Sequence, residues 1–158
     1  MTLIVDVSTD GSRSPLARAR IRDVATAVLR AERVRDALLS IALVSPRQIA
    51  RLNQRHVGHA GPTDVISFAL GGGPAKASRG AVVGDIYIAP DVARANAARF
   101  KRPVREELAR LVVHGTLHVL GYDHPEDESR TASPMWRRQE RLVAAALSNR
   151  GVDRARTV

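Results

Sequence analysis

The chain of 158 residues reads as a single α+β domain, a mixed and mostly four-stranded sheet packed with about five helices over roughly residues 1–150. Three observations lead there. The length suits one domain with a real core, and no linker or repeat divides it. Short apolar, β-branched runs alternate with stretches whose apolar residues recur every three to four positions. Proline in a first helical turn, often after serine, punctuates that alternation at regular intervals. With 44% hydrophobic but only 3% aromatic residues, aliphatic side chains must form the core, and no base-stacking stripe is visible.

Residues 3–7 predict a first strand. Ser14-Pro15 supplies a cap and a first-turn proline for a helix to about Arg30, with Ala17, Ile21, Val24 and Val28 as its apolar stripe. Residues 37–44 read as a second strand, and the helix between makes the pair a parallel βαβ unit. Ser45-Pro46 repeats the cap signal for a short helix ending near Asn53, and residues 56–61 read as loop. Residues 64–70 predict a third strand, which Gly71-Gly72-Gly73-Pro74 breaks. The connection through Gly80 lacks the Gly-Lys-Ser/Thr ending of a phosphate-binding loop and reads as mobile. Residues 82–88 form the fourth strand, antiparallel to the third. Pro90, Pro103 and Pro134 open three further helices, the last running to about Asn149, and residues 151–158 read as a basic tail that frays.

The chemistry concentrates in His114-Gly115-Thr116-Leu117-His118-Val119-Leu120-Gly121-Tyr122-Asp123-His124, which spaces three of the chain's five histidines as H-x3-H-x5-H. On a helix His114 and His118 project side by side. Gly121 then turns the backbone so that His124 returns to the same point. Three imidazoles with a fourth position open suit one catalytic Zn2+ per chain. Burying three imidazoles without a metal would leave several nitrogens to satisfy. The spacing is also that of the H-E-x-x-H-x-x-G-x-x-H peptidases, but Gly115 stands where their glutamate base would be, which argues against peptidase chemistry.

With these residues the chain resembles the YbeY endoribonucleases of ribosomal RNA maturation. The likeness includes Leu52-Asn53, Pro62-Thr63-Asp64-Val65-Ile66-Ser67-Phe68, Gly84-Asp85-Ile86-Tyr87-Ile88 and the histidine motif, with Met135 and Glu140 beyond. Glycine in place of glutamate is itself characteristic of that family. The resemblance implies one α+β domain, one zinc held by His114, His118 and His124, and cleavage of single-stranded RNA in small-subunit (16S) rRNA maturation and ribosome quality control. It implies ribosomal RNA and the small subunit or its assembly factors as partners. The chain departs from the family at Val57, where an arginine important for cleavage usually stands. Arg55 and His56 lie just upstream, but a shift of one or two residues redirects a side chain, and the role is not carried over to either.

Other candidates are weaker. Asp123 is a candidate acceptor for a ligand imidazole or a proton carrier, and Arg55 a candidate catalytic cation. Arg55, Asp64 and Ser67 are candidates for binding substrate, with turn and strand-end roles as the alternative for the last two. Asp85 has a similar status, and His56 and His59 sit in a polar loop. The net charge of +9 favours a polyanionic partner, although Arg18, Arg20, Arg22, Arg30, Arg33 and Arg35 are spread as on a solvated face. No cysteine is present, which excludes disulfides and thiolate metal sites. That, with neither a signal peptide nor a membrane-length apolar run apparent, places the protein in the cytoplasm as an expectation. Two other readings stay open: an RNA-binding assembly factor with structural zinc, and a small-substrate metallohydrolase.

Overall fold

The structure, a computed structural model, describes residues 1–57, 63–71 and 80–156, with side chains at 1–55, 63–70 and 80–148. Four strands, β1 (Thr2–Thr9), β2 (Asp36–Leu43), β3 (Val65–Gly71) and β4 (Val82–Ile88), form one mixed sheet in the order β1-β2-β4-β3. β1 and β4 run parallel to β2, and β3 runs antiparallel to β4. Five α-helices accompany them: α1 (Arg18–Ala31), α2 (Pro46–Leu52), α3 (Pro90–Arg99), α4 (Val104–Val119) and α5 (Pro134–Arg156).

The alternation of the strands decides which face is covered. Leu39, Ile41, Ile86 and Ile88 are fully buried on the face that meets α1 and α4, whereas Ile4 and Leu38 on the opposite face are about half exposed. A smaller cluster of Val44, Ile49, Ile66 and Ala89 fills the space beneath α2. Helix α4 is buried along almost its whole length, because the sheet lies on one side and α1, α3 and α5 on the others. Glycine makes that approach possible. A Cβ on Gly115 would stand 2.8 Å from Ile86 Cγ2, and one on Gly84 would stand 2.4 Å from Val119 Cγ1.

Several boundaries differ from the sequence expectation. Ser14 does not cap α1: its hydroxyl accepts from Leu16 N and donates to Leu16 O, closing a local turn that buries Leu16. A serine side chain can bend its own backbone as readily as it caps a helix. The helix therefore begins at Arg18, and Ala17 is exposed rather than part of the buried stripe. Ser45 caps α2 as expected, its Oγ accepting from Gln48 N at 3.2 Å. Beyond α2 the chain does not enter a loop at His56, because a π-helical turn continues over Asn53–Val57. Helix α5 passes Asn149 and Gly151 to reach Arg156, since one interior glycine costs only about 1 kcal/mol. The glycine-rich connection at 72–79 and His59 lie outside the described residues.

Candidate metal centre

Helix α4 carries His114 and His118 one turn apart on the same face. Its end brings in the third histidine. Gly121 adopts φ +98°, its N–H bonds to His118 O at 2.9 Å, and Tyr122 N–H bonds to Leu117 O at 3.0 Å. This pair of bonds is a Schellman motif, and it requires a residue at ease in the left-handed region. The reversed chain delivers His124 to the other two, with ring centroids 4.5 to 5.1 Å apart. One ring nitrogen from each histidine lies within 4.8 Å of the others.

Each imidazole is held by its Nδ1. His118 Nδ1 donates to Tyr122 O at 3.0 Å, a carbonyl aimed by the same turn that ends the helix. His124 Nδ1 donates to Pro125 O at 2.9 Å. His114 Nδ1 lies 2.6 Å from Gln139 Oε1, and the Gln139 amide is oriented in turn by its Nε2 donating to Glu140 Oε2 at 3.0 Å. Carbonyl and amide oxygens only accept, so Nδ1 carries a hydrogen in all three rings and Nε2 is the nitrogen left to face the cluster. Burial pushes the His114 pKa down to about 4, and burial with the neighbouring His124 lowers that of His118, so both rings are neutral at pH 7.

The consequence is that His114 and His118 turn acceptor nitrogens toward the cluster. His118 Nε2 and His124 Nε2 face each other at 3.3 Å. Nitrogens bound tetrahedrally at about 2.0–2.1 Å from zinc stand about 3.4 Å apart, so the residues fit such an ion. Orientation of each ligand through its second nitrogen is what metal-binding histidines ordinarily require. The three histidines could hold a metal.

They open onto a cleft of about 650 Å³ whose far wall includes Asp64 and Ser67. Thr63, Asn53, Glu126 and Arg130 complete it. Burial raises the Asp64 carboxyl above its ordinary pKa, and the nearby Glu107 adds to this, although Asn96 Nδ2 donates to Asp64 Oδ2 at 3.2 Å. Behind the three histidines, the buried Arg110 bonds Glu106 at 2.9 Å, Glu107 at 3.0 Å and Glu140 at 2.9 Å, tying α4 to α5. Tyr122 OH and Arg138 Nε both donate to Glu32, at 2.9 and 2.6 Å, which pins the histidine turn to α1 and α5.

A family model described as endoribonuclease YbeY matches residues 7–146. The chain belongs to the YbeY family. A relative of that name from Anaeromyxobacter sp. (strain Fw109-5) is 40% identical over 157 residues, covering 97% of this chain and 80% of the relative. Another, from Geobacter sulfurreducens, is 34% identical and covers 94% of this chain and 98% of its own length. The solution structure of a Thermotoga maritima protein superposes with a TM-score of 0.62 at 24% identity, covering 95% of this chain and 93% of that one, a likeness of fold.

Within the YbeY fold the other expected residues fall in different places. Asp123 does not orient an imidazole: its Oδ1 accepts from the His124 backbone N–H at 2.8 Å, and the Pro125 carbonyl takes the ring nitrogen instead. Arg55 is exposed on the π-helical turn and outside the described lining of the cleft. The side chains of His56 and Val57 lie outside the described residues. Asp85 belongs to the sheet face turned away from α4. Sequence reasoning missed Gln139, Arg130, Glu126 and Asn53. Two of them left a signal, Asn53 in the family-like Leu52-Asn53 pair and Gln139 four residues after Met135 on the buried face of α5.

Proposed function

We propose that the chain is a zinc-dependent endoribonuclease that cuts single-stranded RNA, and that its substrate is 16S ribosomal RNA during maturation and quality control of the small subunit in the cytoplasm. The observation that carries this reading is the convergence of three imidazoles, each fixed through Nδ1, at a polar cleft. The YbeY membership supports RNA as the substrate class. Among the described residues no helix is long and apolar enough to cross a membrane.

Held by His114, His118 and His124, zinc would supply a Lewis acid and lower the pKa of a bound water to about 7. The side chains around it do the rest. Arg130, exposed at the rim with its guanidinium 5.6 Å from the Trp136 ring centroid, offers a planar fork to a phosphate. Thr63 and Ser67 place hydroxyls on the opposite wall, where they can hold the ribose–phosphate backbone. Asp64 is the carboxyl of the cleft whose burial favours the protonated form, so it is the group suited to exchange a proton with the leaving oxygen.

Gly115 speaks against peptide hydrolysis more strongly than the absence of a base alone. That position packs on Ile86 and Val65 of the sheet, so a glutamate there has no room. A non-cutting assembly factor is the second reading, and the valine at position 57 favours it.

The test incubates the purified, zinc-loaded chain with an end-labelled single-stranded fragment of 16S rRNA. Internal cleavage that a chelator abolishes is the expected result. Tight binding without cleavage would make the chain an assembly factor, and neither binding nor cleavage would remove RNA as its substrate.

A further inference from the structure

Beside the metal cleft lies a second cavity, of about 300 Å³, that shares Asp64, His114 and Arg130 with it. Two of the chain's five aromatic residues line it. Phe100, at the end of α3, is 56% exposed, and Trp136, on α5, is the single tryptophan. No stacking stripe is visible in the sequence because these two stand 36 positions apart, and only the fold brings them to one cavity. Both carry arginine against the ring: Arg99 and Arg102 lie 5.3 and 5.6 Å from the Phe100 centroid, and Arg130 lies 5.6 Å from that of Trp136. Asn96, bonded to Asp64, adds amide hydrogen-bonding capacity. Glu107, also in the lining, is neutralised by Arg110 at 3.0 Å and Arg102 at 3.5 Å, so this wall does not repel an anion.

We infer that this cavity takes one unstacked nucleobase of the RNA strand whose phosphates pass the three histidines. The inference rests on the RNA-cleaving reading for the identity of the strand. Aromatic faces and guanidinium planes are what single-stranded bases stack on. The volume is at the lower end for small-ligand sites, enough for one base and too small for a pair. Because Arg130 belongs to both cavities, a base seated here places its own phosphate at the metal cleft. That would also select single strands, since a base held in a duplex cannot enter.

The sole tryptophan gives a direct readout. The zinc-loaded full chain is titrated with a 2′-O-methyl hexanucleotide, which resists cleavage, and with a matched oligomer in which every base is removed. The expected result is quenching of Trp136 by the base-bearing oligomer and an affinity about 10-fold weaker for the abasic one. Phe100→Ala, an exposed position, should weaken the base-bearing oligomer by about 10-fold and leave the abasic one unchanged. Equal affinity and equal quenching for the two oligomers, equal loss of both in Phe100→Ala, or no binding of either would overturn the inference. Cleavage of unmodified RNA, measured alongside, separates the two readings. Cutting without base dependence removes the pocket and keeps the nuclease, and base-dependent quenching without cutting does the reverse.

Discussion

His114 keeps its Nε2 lone pair toward the cluster because Gln139 occupies its other nitrogen, and Gln139 is itself held by Glu140. Gln139→Leu preserves much of the buried volume but removes that acceptor. It should weaken zinc binding about 10- to 100-fold, measured by competition with a chromophoric chelator. His118→Ala deletes one of the three proposed zinc ligands, and elemental analysis should find most of the metal gone; full occupancy would take His118 out of the ligand set. Protons compete for the same lone pairs. The folded-state pKa of His114 is about 4 against an ordinary 6.5, so between those values the unfolded chain binds more protons and stability falls as pH falls. Metal-free protein should lose up to about 3 kcal/mol through this residue from pH 7 to pH 4, read as a urea-unfolding difference between wild type and His114→Gln. The three histidines were legible in the sequence because their spacing is local. Gln139 was not, because its partner is 25 positions away and only the packing of α5 on α4 joins them. Asp123 bonds the His124 backbone and not its ring, because adjacency in sequence is not adjacency of side chains.

At the scale of elements, α4 does most of the positioning. Its burial on all sides explains why its apolar residues do not form a narrow stripe, and why glycine stands on both sides of its contact with the sheet, Gly115 on the helix and Gly84 on β4. Gly84→Ala would drive a methyl into Val119, next to His118. It should cost about 1–3 kcal/mol in a denaturant titration. The Arg110 cluster locks α4 to α5. Although burial alone would raise the Glu140 carboxyl, the Arg110 guanidinium and the Gln139 amide hold it below its ordinary range. Arg110→Ala leaves Glu107 with only Arg102, at 3.5 Å, and takes from the partly solvated Glu106 and Glu140 their shared partner, which should destabilise the fold by about 1–3 kcal/mol. Strands and helices were readable from period and from proline, and Ser45-Pro46 behaved as such a pair should. Ser14-Pro15 carries the same letters with a different outcome, because the Ser14 hydroxyl found its partners in Leu16 before any helix began.

For the whole molecule, the parallel β1-α1-β2 unit and the antiparallel β3-β4 pair were both visible in the order of elements. The insertion of β4 between β2 and β3 was not, since nothing local encodes it. The same long-range assembly places Phe100, Arg130 and Trp136 beside the histidines. An excess of nine positive charges over 158 residues gives a long-range attraction for polyanions. Binding of a labelled single-stranded RNA should weaken with salt with a log–log slope of about −2 to −4, since each phosphate contact contributes about 0.7. Fluorescence anisotropy over a salt series reads it, and a slope near zero would reduce the charge to surface solvation. The most direct test of the account follows RNA cleavage under single-turnover conditions while zinc is added back to metal-free protein. The rate should rise in proportion to zinc and level off at one equivalent per chain, with His118→Ala flat throughout. Full cleavage at zero zinc, or equal cleavage by His118→Ala, would contradict it.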